Sequence, residues 1–135
     1  MFVVDASVAL AWCFGDEDSD AADAALEALV DGEAVAPAIW PFEVANALRT
    51  AEKRGRLDLS DAGRVRSLLL ALPVEVEGID LGAALGEVAE VARTLDLTAY
   101  DAAYLALAAR RGLPLATVDD RLRRAAVAAG IPLLG

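Results

Sequence analysis

Apolar and polar positions follow two different rhythms along this chain. Short apolar runs bounded by glycine, proline or charge fall at residues 2–4, 34–36, 74–76, 113–117 and 131–134, and each predicts a strand. Between them, apolar residues recur at i, i+3 and i+4 over 7–14, 20–30, 41–54, 61–72, 81–95, 99–111 and 120–129, which predicts helices. Such alternation predicts an α/β fold: a central parallel sheet of about five short strands with helices on both faces. No linker, low-complexity tract or fixed-period repeat interrupts it, so residues 1–135 are expected to form one domain. In folds of this kind helix N-termini gather at the carboxyl ends of the strands, and ligands bind along that edge.

Composition narrows the chemistry. The chain contains no histidine, which excludes a Ser-His-Asp triad, a Cys-His pair, a histidine zinc site and an imidazole base. Catalysis is left to carboxylates, hydroxyls, arginine, the single Lys53 or a bound metal. The lone Cys13 has no partner for an internal disulfide and reads as a small core hydrophobe. The longest uncharged run, residues 125–135, is 11 residues, too short to span a membrane. The first basic residue is Arg49, so no signal peptide is expected, and the expected location is the cytoplasm.

Charge is distributed unevenly. Residues 1–48 carry 10 acids and no lysine or arginine, whereas residues 49–135 carry 12 of each sign, so the net charge of −10 resides in the first third. An acidic chain of this kind repels nucleic acid unless its bases are concentrated locally.

Four acids fall at the ligand-binding edge. Asp5 ends the first strand in "VVDASV", and Glu43 sits in the first turn of the helix that Pro41 opens in "PFEVANAL". Asp101 completes a T-x-x-D capping pattern with Thr98 in "TAYDAAYLALA", and Asp119 follows the strand in "LATVDDRL". Each has an ordinary structural account as an Asx turn, helix cap or dipole partner. Together they amount to more, because two unit charges about 4 Å apart repel by roughly 4 kcal/mol at an effective dielectric of 20. A cluster of that kind takes up protons or binds a cation, and hard oxygen donors without histidine or cysteine suit Mg²⁺ or Mn²⁺. Such an ion supplies hydrolytic chemistry without an imidazole. Ser7 and Thr117 put hydroxyls beside Asp5 and Asp119, and Asn46 follows Glu43 by three positions on the same helical face; all three are candidate accessory groups.

These motifs, in this order and spacing, resemble the PIN-domain ribonucleases, particularly the VapC toxins of prokaryotic toxin–antitoxin pairs, from residue 3 to about residue 122. The resemblance implies Mg²⁺- or Mn²⁺-dependent hydrolysis of RNA, a homodimer, and a cognate antitoxin that blocks the site. It also implies that Asp5, Glu43, Asp101 and Asp119 are the catalytic, metal-binding acids. Asp120 competes with Asp119 for the last place, and the T-x-D spacing from Thr117 favours Asp119.

Several other features carry alternative readings. Asp16, Asp18, Asp20 and Glu27 match positions of a calcium-binding EF-hand loop, but Ala21 stands where that loop needs glycine, and a helix is the better account. Arg49, Lys53 and Arg56 form a helical stripe, and Arg121, Arg123 and Arg124 crowd the last helix; either group can meet phosphates or complement a helix dipole. Arg110 and Arg111 read as structural bases at a helix end. Trp12, Phe14, Trp40 and Phe42 are expected in the core, and any left exposed would suit a dimer or antitoxin interface. Two competing functions remain: a catalytically silent PIN-fold binding protein, and a Mg-binding phosphoacceptor module, which the lack of paired acids after the first strand disfavours.

Overall fold

The structure, a computed structural model, describes residues 1–14 and 19–135. Its strands are β1 (Phe2–Val4), β2 (Ala34–Pro37), β3 (Val74–Glu77) and β4 (Leu115–Ala116). Its helices are α1 (Ala6–Cys13), α2 (Asp20–Val30), α3 (Trp40–Lys53), α4 (Leu59–Ala71), α5 (Leu81–Ala83), α6 (Ala89–Leu95), α7 (Ala99–Arg111) and α8 (Asp120–Ala128), with a π-helical turn at Ala84–Val88 between α5 and α6. All strand pairs are parallel, in the order β3-β2-β1-β4.

β1 and β2 are buried along their whole length, which is why they read as unbroken apolar runs and not as alternating ones. Burying a side chain such as Val3 or Val4 contributes roughly 1.5–3 kcal/mol. α7 lies across β1, β2 and β4, while α1 packs on α2 and α3, so helices cover the sheet as the alternation requires. β3, at the edge, is half-buried at its two ends, Val74 and Glu77, and exposed at Glu75 and Val76 between them.

The strand order reverses at β1. From β1 the chain builds outward through β2 to β3, then returns through α7 to place β4 on the opposite side of β1. The carboxyl ends of β1 and β4 therefore flank a topological switch point, where open parallel sheets form a crevice. Asp5 and Thr117 are the residues that leave these two strands.

The sheet has four strands where about five were expected. Residues 131–134 meet β4 through a single parallel bridge between Leu133 and Leu115, with Leu115 N–H donating to Pro132 and Leu134 N–H donating back to Leu115. Pro132 has no N–H to extend the ladder. The expected strand at 113–117 shortens to Leu115–Ala116, since Leu113 closes the end of α7 with an N–H bond to Ala108, and Gly112 holds the left-handed conformation there (φ 64°). The continuous helix expected over 81–95 contains the π-helical turn at Ala84–Val88. α3 ends at Lys53, so Arg56 lies beyond the helix and the Arg49–Lys53–Arg56 stripe does not form.

α2 starts at Asp20, capped by Ser19, and carries Glu27 in its interior, which is incompatible with the EF-hand pattern; Asp16 and Asp18 lie outside the described residues. Cys13 is half-buried, and burial pushes its thiol pKa up, away from reactivity. Arg110 and Arg111 pair with Glu75, Glu77 and Glu87 and join α7 to β3 and the π-helical turn. Among the described residues no helix is long and apolar enough to cross a membrane.

Candidate active site

Asp5 is 7% exposed, and it is one of only two buried polar or charged residues among those described; the other is Thr117. Its carboxylate does not cap α1. Instead Oδ2 accepts hydrogen bonds from Ser7 Oγ at 2.6 Å and Thr117 Oγ1 at 2.7 Å. Both hydroxyls are themselves held. Ser7 Oγ accepts from Val118 N–H and Thr117 Oγ1 from Asp119 N–H, each at 3.1 Å. The backbone leaving β4 thus fixes the two groups that fix Asp5.

Glu43 stands in the first turn of α3, as the proline at its start requires. Its Oε1 accepts a 2.5 Å hydrogen bond from the hydroxyl of Tyr104, a fully buried residue of α7. Asp101, half-buried in the first turn of α7, gives its backbone N–H to Thr98 Oγ1 at 3.2 Å, and its own carboxylate makes no hydrogen bond among the described residues. Asp119 caps α8 through Oδ1, which accepts from the N–H groups of Arg121 and Leu122. Asp120 is exposed one position further into α8 and makes no such contact.

The electrostatics join these acids. Burial raises the pKa of Asp5, opposed by the two hydroxyl bonds and reinforced by the charge of Asp119. Burial also raises Glu43, with Tyr104 opposing and Asp5 and Asp101 reinforcing. Asp101 is raised first by burial and then by Asp119 and Asp5; Arg121 counters them. Asp5, Glu43 and Asp101 are therefore each raised by at least one other acid of the set, a pattern typical of sites and costly for mere caps.

Among the described residues no three acidic or thiol groups stand as a ready-made metal cluster. The donor set nonetheless fits a hard divalent cation in kind and in charge: carboxylate and hydroxyl oxygens only, one carboxylate buried, and mutual repulsion that a cation relieves.

Of the accessory candidates, Ser7 and Thr117 both contact Asp5, whereas Asn46 is exposed on α3 and makes no hydrogen bond to Glu43. Tyr104 was not anticipated as a site residue. The available signal was its position three residues after Asp101, which puts a hydroxyl on the acid-bearing face of an otherwise alanine- and leucine-rich helix. Arg123, a candidate for phosphate contact or dipole pairing in the sequence, donates to the carbonyls of Thr117 and Gly135 and ties the last residues to the end of β4.

The model of the family described as the PIN domain matches residues 2–128. A search of curated proteins finds no match. Among solved structures, the chain is similar to PAE2754 from Pyrobaculum aerophilum, with 28% identity, a TM-score of 0.69, and coverage of 92% of this chain and 78% of that one. It is also similar to VapC20 from Mycobacterium tuberculosis, a sarcin-ricin loop cleaving toxin, with 16% identity, a TM-score of 0.67, and coverage of 97% and 96%. A toxin–antitoxin complex from Klebsiella pneumoniae aligns with 21% identity, a TM-score of 0.59, and coverage of 85% and 83%.

Proposed function

The chain belongs to the PIN-domain family, and from that premise we propose that residues 1–135 act as one metal-dependent endoribonuclease domain, the toxin of a type II toxin–antitoxin pair. One observation carries the reading: a buried Asp5, clamped by Ser7 and Thr117 at the switch point of the sheet, shares its field with Glu43, Asp101 and Asp119.

In this proposal Asp5, Glu43, Asp101 and Asp119 hold Mg²⁺ or Mn²⁺. When bound, the ion supplies positive charge to the phosphoryl oxygens of the scissile bond and makes nearby water more acidic. The rest falls to the chain. Ser7 and Thr117 keep one Asp5 oxygen occupied and so orient the other. Tyr104 anchors Glu43 by its hydrogen bond, which favours the charged carboxylate against the effect of burial. Asp119 spends one oxygen on the α8 cap, which sets the direction of its second, and this favours Asp119 over Asp120. Arg121, exposed beside Asp101, meets the phosphate at the rim.

Partners follow from the surface. Phe42 is 73% exposed and Tyr100 62%, and with Ile79 they border an apolar groove of about 370 Å³ between the start of α3, the end of β3 and the start of α7. Apolar surface of this extent suits a homodimer. The toxin and the toxin–antitoxin complex among the structural neighbours support a cognate antitoxin. A cytoplasmic location follows from an RNA substrate.

The competing reading, a PIN-fold binding protein without catalysis, draws on the lack of a ready-made metal cluster among the described residues. Family membership leaves the phosphoacceptor module without support. The discriminating experiment is incubation of purified, antitoxin-free protein with total RNA in Mg²⁺, Mn²⁺ or EDTA, beside Asp5→Asn. Discrete fragments that require metal and Asp5 support the nuclease; RNA left intact under every condition supports the silent binder.

A further inference from the structure

A second groove, of about 320 Å³, opens at Ser7 and Val118 and runs between α1 and α3 to the turn that follows α3. Its near end belongs to the acid edge, because Ser7 Oγ both donates to Asp5 and accepts from Val118 N–H. Its far end is basic and aromatic. Gly55, in the left-handed conformation at φ 73°, ends α3 and lets Arg56 N–H bond back to Ala51 at 2.9 Å, so that Arg54 and Arg56 both line the groove. The Arg56 guanidinium sits 4.5 Å from the centre of the Phe14 ring. Arg54 is exposed and makes no ion pair among the described residues. Thr50 adds a hydroxyl, and no acid appears in the described lining.

We infer that this groove carries the single-stranded RNA on one side of the scissile phosphate, with Arg54 contacting a neighbouring phosphate and the Arg56–Phe14 stack supporting a base. The inference rests on the nuclease reading above. It resolves a difficulty of that reading, since a chain of net charge −10 needs local positive charge to hold a polyanion. Single strands are held by arginine contacts to phosphates together with stacking on aromatic rings and guanidinium planes, and this groove supplies both next to the acids. A protein segment is the weaker occupant here, because the more apolar surface lies elsewhere, around Phe42 and Tyr100.

The test uses fluorescence anisotropy with a labelled 12-nucleotide uridine strand and a full-length Asp101→Asn protein, which binds without cutting. Added to that parent, Arg54→Ala is expected to weaken binding several-fold and to lower the log–log salt slope by about 0.7, the value for one phosphate contact on a single strand. Arg54→Lys should restore most of the slope, and Arg93→Ala, an exposed substitution on α6 away from the groove, should change neither quantity. Thermal melts establish that each variant is folded. If Arg54→Ala and Arg56→Ala both match Arg93→Ala while the native protein still cuts RNA, the groove inference is wrong and the nuclease reading stands. If the native protein neither binds nor cuts RNA, both fall. Loss of antitoxin binding in Arg54→Ala with unchanged RNA affinity would assign the groove to the protein partner and overturn the inference.

Discussion

Thr117 donates a 2.7 Å hydrogen bond to Asp5 across 112 positions of sequence. The two residues leave adjacent parallel strands at the point where the strand order reverses. One bond thus ties the sheet's topology to the orientation of the one buried acid among the described residues.

Removing that bond should be costly. A hydrogen bond to a charged group is worth about 1.5–3 kcal/mol, so Thr117→Val is expected to lose roughly that much stability in urea denaturation and most RNA cleavage. Thr117→Ser keeps the donor and should recover the larger part of both. Since Ser7 shares the same oxygen, the Ser7→Ala/Thr117→Val double variant should depart from additivity.

The raised acids give the metal-free protein a characteristic pH dependence. A carboxyl whose pKa is higher folded than unfolded contributes stability that is full below the unfolded pKa and lost as pH rises through the folded value. Asp5, Glu43 and Asp101 are all raised from ordinary values of 3.8, 4.5 and 3.8. In EDTA, melting should therefore occur at lower temperature at pH 7.5 than near the ordinary carboxylate values, at about pH 4.5, and Asp5→Asn should narrow the gap. Mn²⁺ should raise the melting temperature more at the higher pH, because the cation competes with protons for the same carboxylates. A gap unchanged by Asp5→Asn would remove Asp5 from this account.

Tyr104→Phe deletes one hydroxyl in a fully buried position and leaves the ring's packing intact. Because the bond favours charged Glu43, its loss should weaken Mn²⁺ binding by about tenfold to a hundredfold, the scale expected for a group that orients a ligand. Far-ultraviolet circular dichroism should not change. Equal Mn²⁺ affinity in the variant would mean that Tyr104 serves packing alone.

Phe42→Asp places a charge in the exposed apolar surface at the start of α3. Sedimentation should show the native chain as a dimer and the variant as a monomer at micromolar concentration. A native monomer would end the homodimer proposal.

The sequence made some of this legible and hid the rest for physical reasons. Asp5, Glu43, Asp101 and Asp119 could be placed on one edge because a parallel sheet sends every strand's carboxyl end the same way. The ordinary account of Asp119 as a cap is met in full, whereas Asp5 caps nothing and answers to Thr117 instead. Tyr104 and Glu43 lie 61 positions apart, and local spacing carries no trace of their contact. The fifth strand failed at Pro132, whose missing N–H was visible, but apolar content masked it. Nor did the helical periodicity of residues 81–95 signal the π-helical turn, since one wide turn barely alters the spacing of apolar positions.

Whether the acids at the switch point hold a divalent metal can be measured without knowledge of the RNA target, by calorimetric titration of Mn²⁺ into purified, antitoxin-free protein. The expected result is binding by the native chain that folded Asp5→Asn and Asp101→Asn variants both lose. No binding by the native chain at millimolar Mn²⁺, or equal binding by the variants, would contradict it.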